Sequence, residues 1–215
     1  MMTSSKIEHA ENPKALLVFA HGAGADMNSS FMDDMSALLL NRNISVMKFN
    51  FPYMDKRVQD GKRRPPDRMP VLLETLSQQL KGLASELPTF LGGKSMGSRV
   101  CATWLAQTDK SSFETILGLI AIGYPFHPIG KPEKLRLAPL QENPRPALVI
   151  QGDRDKLGCE TEIAGYDLPL SCKVKFMSDG DHDLKPRVKS GFTHQQHIER
   201  ASALIEQFID EQIKQ

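Results

Sequence analysis

The 215-residue chain contains no apolar run close to the roughly 20 residues that a bilayer-crossing helix needs. Its start, MMTSSKIEHAENP, has no apolar stretch of the kind a secretory signal carries. These two absences lead us to expect a cytoplasmic protein without membrane partners. Charge of one sign is lacking as well: 27 basic residues face 26 acidic ones, a formal net of +1. No overall field therefore draws the chain to nucleic acid. Cysteine is scarce, and Cys101, Cys159 and Cys172 are an odd number at unrelated spacings. That pattern fits neither a disulfide framework nor a CxxC zinc site, so reduced, packed thiols are expected. Neither a G-x-x-x-x-G-K-[ST] phosphate loop nor a G-x-G-x-x-G dinucleotide turn occurs.

What the chain does have is enough apolar material, 40% of its residues, for one compact domain spanning 1–215. KALLVFAHG (14–22), ISVMKFNF (44–51), PTFLGG (88–93), TILGLIAIG (115–123), PALVIQGD (146–153) and CKVKFM (172–177) are short apolar runs that end in Gly, Pro, Asn or charge. Most are continuous rather than alternating, as strands covered on both faces require. Between them lie helical stripes: Phe31, Met35, Leu38 and Leu39; Leu72, Leu73, Leu76, Leu80, Leu83 and Leu87; and Ile198, Ala201, Leu204, Ile205, Phe208 and Ile209. Strands alternating with helices predict an α/β fold of about six mainly parallel strands with helices on both faces. In such sheets ligands bind beyond the carboxyl ends of the strands.

One of those ends carries Gly93-Lys94-Ser95-Met96-Gly97, a match to G-x-S-x-G. The spacing has a steric basis, because glycines two residues to either side of a sharply turned serine let strand and helix approach without a Cβ clash. Alone, the pattern equally suits a serine that caps the next helix. A nucleophilic Ser95 needs a base from another strand end. His182 lies in SDGDHDLK just after the last strand and is the candidate. His9 falls in an N-terminal stretch expected to fray, and His194 and His197 at the start of the last helix are expected to be solvated. His21 and His127 follow other strands and are placed for structure or pocket lining. The base in turn needs an acid, and VIQGDRDKLG offers Asp155, with Asp153 as the fallback. Asp179, Asp181 and Asp183 read as turn residues, of which Asp183 could tune the histidine. The backbone N–H groups of Met96 and of Ala23, in the glycine-bent HGAG loop, are candidate oxyanion donors.

With HGAG, GKSMG, GDRD and DGDHDL in this order, the chain resembles the α/β-hydrolases over nearly its whole length. FNFPYMDKRVQDGKRRPPDR, GGKSMGSR and GYPFHPIGKPEKLR resemble more narrowly a group of small predicted hydrolases, similar to dienelactone hydrolases and lacking a large cap domain. That resemblance implies Ser95 as nucleophile, His182 as base, Asp155 as acid, and Ala23 and Met96 as oxyanion donors. The group also includes testis-expressed and chromatin-complex proteins, so a non-catalytic binding or scaffold role is the rival implication.

Residues 55–68 place Lys56, Arg57, Lys62, Arg63, Arg64 and Arg68 against Asp55, Asp60 and Asp67 in a loop expected near the site. These charges read first as a solvated loop; the alternative is that Arg63 and Arg64 there meet an acidic substrate group. GYPFHPIGKPEKLR is too short for a cap, so the site is expected to be open, walled by Tyr53, Tyr124 and Phe126. The expected chemistry is cleavage of a carboxylic ester or thioester of a small acyl substrate through an acyl-enzyme. It needs no metal and no organic cofactor. Peptide or carbon–carbon bond hydrolysis could use the same triad. Lys94 reads as a solvated side chain, and the oligomeric state leaves no trace in the sequence.

Overall fold

A computed structural model describes residues 3–83, 85–108 and 114–214. Seven strands form one sheet in the order β1-β3-β2-β4-β5-β6-β7: β1 Ser5–Glu8, β2 Ala15–Ala20, β3 Ile44–Phe49, β4 Thr89–Lys94, β5 Ile116–Ile122, β6 Ala147–Gly152 and β7 Cys172–Met177. All neighbouring pairs are parallel except β1 with β3. The helices are α1 Ser30–Leu40, α2 Pro52–Asp60, α3 Met69–Lys81, α4 Met96–Gln107, α5 Ala138–Gln141, α6 Glu160–Ile163 and α7 His194–Ile213.

The continuous apolar runs become strands buried on both sides, and alternate residues of each run serve opposite layers. In β2, Ala15, Leu17 and Phe19 pack with Met35 and Leu39 of α1 and Ile205 and Phe208 of α7. Leu16, Val18 and Ala20 pack on the other side with Leu76 of α3 and Val100 and Trp104 of α4. Helices thus cover both faces, and the helix-to-strand connections return the chain so that β2 to β7 all end on one side of the sheet.

Three details differ from the sequence expectation. The strand count is seven rather than about six, because Ser5–Glu8, in the stretch expected to fray, pairs antiparallel with β3. This edge strand is mostly exposed and carries no apolar run, so only its backbone pairing reveals it. Part of the basic 55–68 stretch is helix α2, which begins at Pro52 and stops at left-handed Gly61. The leucine stripe of α3 ends with Leu80, as the helix closes at Gly82; Leu83 and Leu87 pack on the same core from the following irregular segment. Among the described residues no helix is long and apolar enough to cross a membrane.

Lys48 is a charge inside this framework, 1% exposed on β3, with its ammonium 2.6 Å from Asp33 and 3.4 Å from Glu8. The pairing ties α1 and β1 to the same strand.

Two outcomes follow from the packing. Phe208 is buried with its ring centroid 6.1 Å from that of Phe90, so Phe208→Ala should cost about 3–5 kcal/mol in urea unfolding. Burial pushes the Cys101 thiol up to about 12 and the Cys172 thiol up to about 11, while Cys159 is partly exposed. A disulfide reagent at neutral pH should therefore titrate Cys159 in the folded chain and the two others only after denaturation.

Candidate active site

β4 ends at Lys94, and the chain reverses into α4 at Ser95, whose φ of 52° and ψ of −115° lie where non-glycine residues are strained. Two close approaches force this turn. A Cβ on Gly97 would fall inside the van der Waals radius of the Ala20 carbonyl, and one on Gly93 would overlap the backbone of Gly97 and Ser98. The serine stands before the first residue of α4, yet its side chain makes no capping hydrogen bond. Its Oγ is instead 2.7 Å from His182 Nε2.

His182 Nδ1 is 2.8 Å from Asp155 Oδ2. A carboxylate at that distance accepts a hydrogen bond, so Nδ1 carries the hydrogen and Nε2 is left free to accept from the serine hydroxyl. Asp155 is fully buried and fully engaged: Oδ2 also accepts from Gln151 Nε2 at 2.8 Å, and Oδ1 accepts the Leu157 N–H at 2.8 Å. Those donors satisfy both carboxylate oxygens from within the protein. Asp153 faces elsewhere, its Oδ2 accepting the Asp179 N–H at 2.8 Å, so of the two acids it is Asp155 that meets the histidine.

The loop bearing His182 is braced from several sides. Arg154 donates to the Asp179 carbonyl at 2.6 Å and to that of Lys185 at 2.9 Å, and Asp179 is paired with Arg187. Asp181 Oδ1 accepts the N–H groups of Asp183 and Lys185, both at 2.9 Å. His194 Nε2 lies 2.9 Å from the Asp183 carbonyl and His197 Nδ1 lies 2.7 Å from that of Leu184. His197 is buried rather than solvated, while His194 stays partly exposed, and both brace the loop from the start of α7. At the other end, the loop rests on Gly152, where a Cβ would overlap the Gly180 and Asp181 carbonyls.

Lys94 is buried rather than solvated. Its ammonium donates to the His182 carbonyl at 2.6 Å, pairs with Asp183 at 3.0 Å and lies 5.6 Å over the Phe31 ring. Burial lowers its pKa against the pull of Asp183. For Asp183, burial acts upward, and Lys94 foremost, with His182, outweighs it and holds the carboxyl below its ordinary range. Lys94 thereby links the serine turn to the histidine loop.

Two cavities meet at Ser95. One, of about 290 Å³, is lined by Gly22, Phe31, Met32, Lys94 and His182. The other, of about 440 Å³, is lined by Ala23, Met96, Arg99, Arg136 and Leu157. Met96 is the first residue of α4, where an N–H has no partner within the helix; it and Ala23 flank the serine.

Other nominated residues lie elsewhere. His21 is fully buried, its Nδ1 2.7 Å from the Gly22 carbonyl and its Nε2 accepting the Phe51 N–H at 3.1 Å, and burial lowers its pKa. It shapes the Ala23 loop without facing either cavity. Tyr53, Tyr124 and Phe126 belong to the core rather than to the cavity walls. Tyr53 donates to the Ala23 carbonyl at 3.1 Å and Tyr124 to that of Arg136 at 2.9 Å, and burial raises both phenols. His127 is buried, its Nδ1 2.9 Å from the Pro128 carbonyl. Arg64 forms an exposed ion pair with Asp60, Arg63 is exposed, and neither lines the cavities at Ser95. The arginines that do are Arg99 and Arg136, which sequence reading passed over; Arg99 could have been found from its position four residues after Ser95 on a helix.

A family model described as an alpha/beta hydrolase domain matches residues 13–210. Among solved structures, the chain is similar to a dienelactone hydrolase from Anabaena variabilis at 16% identity, with 97% of this chain and 91% of that one covered and a TM-score of 0.70. It is similar to Est1E from Butyrivibrio proteoclasticus, solved with ferulic acid bound, at 15% identity, 99% and 96% coverage and a TM-score of 0.70. XC6422 from Xanthomonas campestris, described as an alpha/beta serine hydrolase without a lid, matches at 16% identity, 98% and 87% coverage and a TM-score of 0.61. These likenesses show the fold.

The support at Gly152 can be tested directly. Folded protein should give the strongly deshielded imidazole proton resonance of an N–H held by a buried carboxylate. Gly152→Ala should lose that resonance while its circular dichroism stays that of the parent.

Proposed function

The chain belongs to the alpha/beta hydrolase domain family, and from that premise we propose that it is a serine hydrolase cleaving carboxylic esters or thioesters through an acyl-enzyme. The observation that carries this reading is the unbroken relay from Ser95 Oγ to His182 Nε2 and from His182 Nδ1 to Asp155, with contacts of 2.7 and 2.8 Å.

In this mechanism Ser95 Oγ attacks the carbonyl carbon as its proton passes to His182 Nε2. Asp155 stabilises the imidazolium and holds the ring in the tautomer that leaves Nε2 unprotonated. The backbone N–H groups of Met96 and Ala23 receive the oxyanion of the tetrahedral intermediate, an interaction that mutagenesis elsewhere places at about 10²–10³ in kcat for one donor. As the intermediate collapses, the leaving alkoxide or thiolate takes the proton from Nε2. Water then attacks the acyl-enzyme, giving its proton to His182, and Ser95 recovers a proton as the carboxylic acid departs. The substrate in this reading is a small acyl compound, reached through the open edge of the sheet.

The test is hydrolysis of p-nitrophenyl acetate together with labelling by a fluorophosphonate probe. The wild type should be labelled at Ser95, Ser95→Ala should neither label nor turn over, and Asp155→Asn should lose about 10⁴ in kcat. Equal background rates in wild type and Ser95→Ala, with no labelling of folded protein, would leave the hydrolase-shaped scaffold as the better reading.

A further inference from the structure

The serine-hydrolase reading supports a second step, because the two cavities at Ser95 are not equivalent. His182 must hand its proton to the departing alcohol or thiol, so the leaving group belongs in the cavity that His182 lines. The acyl chain is then directed into the other cavity, whose walls include Met69, Leu72 and Leu157 beside two guanidinium groups.

The backbone that carries each of them is held beside the cavity. Arg99 sits one helical turn after the serine, its N–H donating to the Ser95 carbonyl at 3.2 Å. Arg136 is fixed through its backbone, its N–H donating to the Phe126 carbonyl at 2.7 Å and its own carbonyl accepting from Tyr124 at 2.9 Å. Both side chains are half-buried. Among the described residues neither has a carboxylate within ion-pair distance. Asp67, also in the wall, accepts the Tyr53 N–H at 2.9 Å instead. Burial, and after it the charge of Arg99, holds the Arg136 guanidinium below its ordinary value. Two like charges beside an apolar wall, neither in an ion pair and with Asp67 held by the Tyr53 N–H, leave a place for an anion between them.

We propose that Arg99 and Arg136 clamp a carboxylate at the far end of the acyl chain, making the substrates half-esters or half-thioesters of dicarboxylic acids. Hydrolysis consumes one water, breaks the bond between the acyl carbon and the alcohol oxygen or thiol sulfur, and releases a dicarboxylic acid and the alcohol or thiol. The recognition of an acidic group, one of the two readings of Arg63 and Arg64, is thus assigned to a different pair.

The experiment compares kcat/KM for p-nitrophenyl hydrogen glutarate with p-nitrophenyl valerate, and for the hydrogen adipate with the hexanoate, after subtraction of spontaneous rates. The charged ester should be favoured by about tenfold or more in the wild type, and the ratio should fall to about one in Arg99→Gln/Arg136→Gln. Arg99→Gln alone should lower it partway, which keeps the test available if the double variant does not fold. A wild-type ratio at or below one, or a preference that survives the substitutions, would overturn the proposal. Failure to hydrolyse all four esters would count against the hydrolase reading instead, and calorimetry with glutarate would then decide the clamp. Binding by the wild type that is lost in Arg99→Gln supports it, and no binding overturns it.

Discussion

The turn at Ser95 is the constraint on which the rest of the site depends. A non-glycine residue is held at a φ of 52° because α4 begins so close to β2 that Gly97 lies against the Ala20 carbonyl. Relaxing that conformation would require α4 to lift from the sheet, and Val100, Cys101 and Trp104 bury the helix in the layer below. Burial of the helix therefore offsets the local cost of the turn. The same close approach leaves the serine hydroxyl free of any capping bond and directs it toward the strand ends.

Around it, the polar groups form a connected set rather than isolated pairs. Asp155, with three donors and no exposure, fixes one nitrogen of His182. Lys94 fixes the backbone of the same residue, and His194 and His197 hold the residues that follow. A loop tethered from β4, β6 and α7 has little freedom to rotate its imidazole. The proposed mechanism draws on that fixed arrangement, because preorganised groups stabilise a transition state without reorienting.

Much of this was legible in the sequence, and the reason differs from residue to residue. Ser95, His182 and Asp155 each stand in a glycine-bearing turn after an apolar strand, so local steric demands mark them, and in the structure they meet. The parallel strands were legible because burial on both faces leaves a continuous apolar run. β1 was not, since a four-residue edge strand needs only backbone pairing. Tyr53, Tyr124 and Phe126 were nominated as walls because aromatic residues near strand ends suit both a pocket and a core; the direction of each side chain is a tertiary property. Lys94 presents the same difficulty in reverse, a cation whose burial depends on Asp183 and the His182 carbonyl, 88 residues away in the case of the latter.

The segment from Tyr124 to Arg136 is closed at its base by two hydrogen bonds, Arg136 N–H to Phe126 and Tyr124 hydroxyl to Arg136. The segment thus forms a closed loop between β5 and α5, and its tip around Gly130 is open. Extra residues inserted at that tip would extend over the arginine-lined cavity without displacing a strand. This loop is therefore a place where the chain can be lengthened while the edge of the sheet that carries Ser95 stays as it is.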